Sequence, residues 1–394
     1  MKDDKQLKNK MCKIHFIKAM SGDSFIIELG GGHCIMIDCG YKSTYKNELK
    51  PLLLKLHNAG CRIDLLVITH MDEDHIGGAI SLIEENGDSR DAKIIEIDNI
   101  WFNGIFDLCL YNEYLSSHLA EKLSEIDQSK IENLMSKFLR TIRTGDGFVS
   151  AKHAEDFELL CRKYHYDINT VAQNGLIMSG DKMNIGKWNI SVLSPGEKEI
   201  ESFVKWIDSA LISNLGRNYK LAKDDFFCFI EKMVVAASED EVGSGGREYI
   251  SASKADIDSW IGTSSLAKMN EVNRMSIVLE IECDDISMLF TGDSESEDWV
   301  EKAKFRYDVV KLSHHGTTKP NIALLQNIDT DKMIISTNGK KNHPENDLLA
   351  RILNKGISNI YFNYDIRQKE QLLSCQSEYK CLVHFDENEI EIVG

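Results

Sequence analysis

The stretch that most limits what this chain can fold into is VITHMDEDHIGGA, residues 67–79. An apolar run, IDLLVITH, ends on His70, and Asp72, Asp74 and His75 follow within five positions, just ahead of Gly77 and Gly78. Residues two apart in a strand share a side, so His70 and Asp72 can face one point as the strand ends. Asp74 and His75 then fall at the mouth of a following helix, facing a second point beside the first, and the glycines let another backbone pass close. This layout suits two ligand pairs for two adjacent cations. The plainer alternative is a solvated acidic turn with incidental histidines, since short motifs arise by chance.

Three further stretches weigh against chance. LFTGDSES sets Asp293 at the end of an apolar strand, VVKLSHHGTTKPN sets His314 and His315 at the end of another, and STNGKKNHPEN sets His343 after a third. Ligands of α/β sheets gather at the carboxyl ends of strands. Four strands ending in metal-binding side chains therefore point to one site. Singly, each has an ordinary explanation: His343 before Pro344 reads as a loop residue and T-G-D as a common turn.

Around these motifs the first hundred residues alternate strand-like runs (KIHFIKA, SFIIEL, CIMIDCG, DLLVITH) with helices. One helix is capped by Ser43 or Thr44, carries Leu49, Leu52, Leu53 and Leu56 at helical spacing, and stops at Gly60; a second runs from HIGG to about Glu85. The order is α/β. From Trp101 to about Asn270 amphipathic helical patterns dominate (EYLSSHLAEKLSEI, KIENLMSKFLRTI, AEDFELLCRKY), broken by the strand-like KWNISVLSP, and ASEDEVGSGGRE, residues 237–248, reads as a flexible loop. Strand-like runs then return. The expectation is one domain built from residues 1–100 and 271–394 with a largely helical insertion over about 101–270. Trp206 and Trp260 read as core packing of the inserted helices, with docking of a protein partner the less favoured use. Asn103, Asp224 and Asp225 have ordinary turn and cap roles.

The 63 acidic and 46 basic residues leave a net charge of -17, which repels phosphate backbones and anionic lipid. Any nucleic-acid substrate is therefore expected to be short, single-stranded or cyclic unless a basic partner delivers a duplex. No stretch approaches the roughly 18–20 apolar residues of a membrane span, and the first residues lack a signal-peptide core, so a cytoplasmic location with no membrane partner is expected. Ten cysteines without a C-x-x-C pair imply reduced thiols.

On these motifs the chain resembles the metallo-β-lactamase superfamily, whose H-x-H-x-D-H signature is matched by His70, Asp72, Asp74 and His75 with aspartate in place of the second histidine. The form H-x-D-x-D-H-I-G-G, with later TGD, HHG and HP elements, resembles the metallo-β-lactamase-like domain of ComEC-type DNA-uptake proteins and their free-standing relatives. GDSFIIELGGGHCIMIDCG resembles the opening strands of that family, with Asp38 a structural residue. The resemblance spans roughly the first hundred residues and residues 273–365. It implies a four-layer αββα fold, His70 and Asp72 on one metal, Asp74 and His75 on the other, Asp293 bridging them and His343 closing the site. The HHG pair is implied next to the first metal. Either His314 or His315 would replace the family's mid-chain histidine, because His118, His153 and His165 lie in helical contexts.

Two divalent cations about 3.5–4 Å apart can share a hydroxide and clamp the attacking and leaving oxygens of a displacement. Asp74 would orient that water, and His315 is the second candidate catalytic residue. Asp72 supplies a hard oxygen that shifts preference from zinc toward manganese, magnesium or iron, with zinc still open. Lys319, Lys340 and Lys341 lie in loops expected to rim the pocket, where they would bind phosphate, although each alone reads as solvated surface. The leading expectation is a metal-dependent phosphodiesterase or nuclease acting on nucleic acid or a nucleotide phosphodiester. A carboxylic or phosphorylcholine ester hydrolase would use the same site, and a partner-binding regulatory module is the reading from another class.

Overall fold

The computed structural model describes residues 11–104, 150–172, 175–203, 205–206, 254–266 and 268–393. Within them β1 (Met11–Phe16), β2 (Ser24–Gly30), β3 (His33–Cys39), β4 (Arg62–Ile68) and β5 (Ile100–Phe102) form one sheet in sequence order. The second sheet starts with the antiparallel run β6 (Lys182–Ile185), β7 (Trp188–Ser194), β8 (Val278–Cys283) and β9 (Ile286–Phe290). A two-residue strand, β10 (Arg306–Tyr307), pairs outside this sheet with β12 (Asp329–Thr330). The parallel strands β11 (Val309–Lys311), β13 (Lys332–Ile335), β14 (Asn359–Phe362) and β15 (Leu382–His384) complete the second sheet beyond β9. The chain ends on β16 (Glu389–Val393), which returns to pair antiparallel with β1.

The strands read as unbroken apolar runs because both of their faces are covered. In β4, Leu65 and Val67 point between the sheets while Leu66 and Ile68 point to the helices. β3 divides in the same way, with Ile35 and Ile37 inside and Cys34 and Met36 outside. The inter-sheet layer also holds Phe25, Leu279, Ile281 and Phe290. Helices α1 (Lys50–Asn58), α2 (Glu73–Asn86) and α3 (Ser150–Lys163) cover the first sheet through Leu53, Leu56, Ile76, Leu82, Phe157 and Cys161. Helices α4 (Asn346–Lys355) and α5 (Lys369–Tyr379) cover the second through Leu348, Ile352, Leu353, Leu372 and Cys375. The result is the expected four-layer αββα arrangement.

The span expected as a helical insertion contributes to these layers. β6 and β7 extend the second sheet by pairing with β8, and α3 packs on the first sheet beside α2. Two of its expected helices, EYLSSHLAEKLSEI and KIENLMSKFLRTI, lie outside the described residues, as do the 237–248 loop, His118, Asp224 and Asp225. Trp260 is buried in the helix layer of the second sheet and Trp206 packs against that of the first, the core roles favoured for them. Asn103 ties its loop to Ile177 through two hydrogen bonds of 2.8 Å. The eight described cysteines are free thiols. No helix among the described residues is long and apolar enough to cross a membrane.

Candidate metal centre

Four strand ends meet at one edge. β4 delivers Thr69 and His70, and Asp72 stands at the N-cap of α2 with its side chain making no capping bond. A capping aspartate ordinarily accepts from the backbone of the first turn, so this carboxylate is committed elsewhere. Asp72 Oδ2 lies 3.6 Å from His70 Nε2. Gly78 makes the approach of α2 feasible: a Cβ there would fall 2.1 Å from the Cys39 carbonyl oxygen. β9 delivers Asp293 after Gly292, and β11 delivers His314 and His315, both in left-handed backbone conformation at φ 50° and 53°. Non-glycine residues pay strain for that conformation, a pattern concentrated at functional sites.

Asp293 is the hub. Its Oδ2 is 3.2 Å from His315 Nε2, 3.4 Å from His75 Nε2 and 3.9 Å from His314 Nε2. Asp74 reaches the same place, with Oδ1 3.9 Å from His75 Nε2 and Oδ2 3.7 Å from His315 Nε2. The rings of His70 and His75 are 4.1 Å apart, and His343 sits at the rim with its ring 5.5 Å from His314 and 6.2 Å from His315.

The outer atoms of several of these side chains are held by partners. His75 Nδ1 donates to Asp38 Oδ2 at 2.8 Å, which leaves Nε2 as the ring nitrogen turned toward Asp293. Asp38 also accepts from the Thr69 amide and hydroxyl at 2.7 and 2.8 Å. His70 Nδ1 faces the hydroxyls of Thr69 and Ser276 at 3.1 and 3.2 Å. His315 Nδ1 faces the Ser336 carbonyl at 3.2 Å, and Thr317 Oγ1 lies 3.1 Å from His314 Nδ1 and 3.3 Å from His343 Nδ1.

Whether the site fits metal ions is decided by what is left over. His70 Nε2, His75 Nε2, Asp72 Oδ1 and Asp293 Oδ1 are buried without a hydrogen-bond partner. Orphaned buried polar atoms are costly unless something is bound to them. His70, His75 and Asp293 offer ligand atoms within 4.8 Å of one another, as do Asp74, His75 and His315. Imidazole nitrogens and carboxylate oxygens together suit zinc, manganese or iron, so the donor set fits divalent metal ions.

Electrostatics agree. Burial alone would raise the Asp293 carboxyl, but His315, His75 and His314 outweigh it and hold it well below the carboxylate range. Burial likewise disfavours a charged His315, yet Asp293 and Asp23 push that ring up to about 10. His75 is raised by Asp293 and Asp38 against the same penalty. His343, buried and facing His314 and His315, is driven down to about 2. In the metal-free site, protons take the place of cations.

The structure thus gathers His70, Asp72, Asp74, His75, Asp293, His314, His315 and His343. His315 approaches the Asp74 and His75 pair, whereas the HHG pair was expected beside His70 and Asp72. Its backbone turn after β11 aims it there. Lys319 has its ammonium paired with Glu297 at 2.9 Å and Glu295 at 3.6 Å. Lys340 and Lys341 are exposed. His165 is at the surface, 2.9 Å from Asp88. Asp23, Lys311 and Asn273 also border the centre. The one signal for them was a lysine inside the apolar run VVKLS, where buried charge is rare unless paired.

Two facing sheets flanked by helices, with clustered histidines and aspartates at one edge, constitute the metallo-β-lactamase fold. The sequence profile of the metallo-β-lactamase superfamily matches residues 17–101. Among solved structures, the chain is similar to zinc-bound PqqB from Methylobacterium extorquens, at 8% identity and TM-score 0.41, over 96% of this chain and 100% of that one. It is also similar to the metallo-β-lactamase fold protein YhfI from Bacillus subtilis, at 8% identity and TM-score 0.38, over 98% and 100%. A third is CmlA, a diiron β-hydroxylase from Streptomyces venezuelae, at 9% identity and TM-score 0.37, over 97% of this chain and 54% of that one. No curated protein sequence matches the chain.

Proposed function

We propose that this protein is a metal-dependent hydrolase of the phosphodiesterase or nuclease class. The carrying observation is that buried ligand atoms of His70, His75 and Asp293 lie within 4.8 Å of one another, with Nε2 of both histidines lacking a hydrogen-bond partner. His70 and Asp72 would hold one divalent cation, Asp74, His75 and His315 the other, and Asp293 would serve both, with His314 and His343 closing the outer side. Bound there, the pair would lower the pKa of a water and neutralise charge on phosphate oxygens. Asp74, on the first turn of α2, orients the attacking water, and the fixed Nδ1 partners of His70, His75 and His315 keep the Nε2 atoms directed inward. Lys341 stands near enough to Glu73 and His343 to act on both electrostatically and would meet an anionic substrate at the rim. The aspartate at position 72 favours manganese over zinc.

The test is to load the protein with manganese, magnesium or zinc and offer single-stranded DNA, RNA and cyclic dinucleotides. Cleavage that disappears in the combined variant His70→Ala, Asp293→Ala is expected. Turnover of a carboxylic or phosphorylcholine ester with no phosphodiester cut under any metal would overturn the substrate class and leave the ester-hydrolase reading.

A further inference from the structure

Lys311 ends β11 and is 1% exposed, as is Asp23 in the loop before β2. Its ammonium is ion-paired with Asp23, donates to the Gly292 carbonyl at 2.9 Å and lies 3.7 Å from Asp293 Oδ1. Asp23 Oδ1 lies 3.5 Å from His315 Nδ1. The two oxygens of Asp293 are therefore divided, Oδ2 facing three histidines and Oδ1 facing the lysine. Asp23, Asp293 and His315 by themselves offer three ligand atoms within 4.8 Å of one another, a set able to take a cation. Nothing in the proposed chemistry uses Lys311, which is too buried to touch a substrate.

We propose that Lys311 is a built-in counter-ion: its ammonium fills a cation position between Asp23 and Asp293, keeps Asp23 out of the metal-binding set and holds Asp293 with only Oδ2 toward the histidines. Charge counting supports this. Asp23, Asp38, Asp72, Asp74 and Asp293 bring five negative charges to the centre, two divalent cations supply four positive ones, and Lys311 supplies the fifth. Burying charge without such compensation is prohibitive. The count of metals rests on the proposed function, while the pairing of Lys311 with the two aspartates does not. Lys311 acts through Asp293 and Asp23, so it is a positioning residue.

The experiment compares the full-length protein with Lys311→Ala, Asp23→Asn and the double variant after chelator treatment. Thermal unfolding is followed as ammonium chloride replaces tetramethylammonium chloride at constant ionic strength. Lys311→Ala is expected to unfold at lower temperature than the wild type and to regain stability with ammonium, which fits the vacated position, but not with the bulkier cation. Wild type and the double variant should be indifferent to the exchange, because in the latter a carboxylate and its counter-charge leave together. An unresponsive Lys311→Ala, or a double variant as impaired as the single one, would overturn the proposal, since a packing role for the lysine stem predicts both. Failure of both variants to fold would overturn it in the same way. Manganese binding by the wild type is measured alongside; its absence with the ammonium response intact would sink the metal reading and leave the counter-ion role standing.

Discussion

Asp38 offers a clean perturbation of the centre, because Asp38→Asn changes one atom and leaves the backbone at ease. Asp38 has φ 57°, a left-handed conformation that asparagine tolerates as well as aspartate. The carboxylate accepts three hydrogen bonds, from the Thr69 amide, the Thr69 hydroxyl and His75 Nδ1. A carboxamide that keeps its carbonyl on the Thr69 amide turns its NH2 toward His75. Two donors cannot face each other, so His75 shifts its proton to Nε2, the atom 3.4 Å from Asp293 that is meant to bind metal. Restoring the original tautomer leaves a buried donor unpaired, at a cost of roughly 1–3 kcal/mol. That corresponds to a loss of about 10- to 100-fold in metal affinity, the range for partners that orient a ligating histidine. Manganese titration against a competing chelator measures it. An Asp38→Asn protein that folds and binds manganese within about twofold of the wild type would refute the assigned tautomer and the placement of His75 in the metal set.

Single variants His70→Ala and Asp293→Ala should each lower manganese affinity by at least roughly 100-fold, more than the loss of an outer partner costs; wild-type binding in either would remove that residue from the centre. Chelator-treated protein should lose stability as pH rises. His315 has a folded pKa of about 10 against roughly 6.5 unfolded, so its contribution is present below about 6.5 and is lost toward 10 at about 1.4 kcal/mol per pH unit. Thermal unfolding from pH 7 to 10 should show that slope without metal and not with it, and equal slopes would contradict it. Gly78→Ala should destabilise the fold by at least about 1–3 kcal/mol, because the new Cβ meets the Cys39 carbonyl at 2.1 Å and backbone cannot yield cheaply; unchanged denaturant midpoints would argue against the tight α2 approach. Lys319→Ala should lower the unfolding temperature by leaving buried Glu295 uncompensated while KM stays within about twofold, whereas Lys341→Ala should raise KM. The reverse pattern would put Lys319 at the phosphate.

How far the sequence discloses such a centre depends on the physical job of each residue. Ligand residues at strand ends are legible because each follows an apolar run that must be buried, and burial of several such runs in one sheet brings their ends together. That logic located His70, Asp293, His314, His315 and His343, and the αββα layering came with it. It recognised KWNISVLSP as strand-like, the stretch that forms β7, but could not place it in the second sheet, because β7 pairs with β8 across more than eighty residues. Nor could local sequence show the ion pairs of Lys319, whose glutamate partners lie some twenty residues upstream.

Counter-ions are the least legible class. Asp23 and Lys311 stand 288 positions apart, and neither belongs to a spaced motif. Their meaning appears only when a charge balance is drawn around a common point. A lysine in a buried strand must meet a carboxylate, so VVKLS demanded a partner somewhere. The candidates were the sixty-three acidic residues of the chain, and the fold chose the one whose loop also passes His315. The glycine before it shows how tightly that loop is placed: a Cβ on Gly22 would sit 2.0 Å from the Asp74 carbonyl oxygen. Asp23 and Asp74 are thereby fixed relative to one another by backbone contact, with the His315 ring between their carboxylates, and the charge that balances the centre is set by the same packing that sets its ligands.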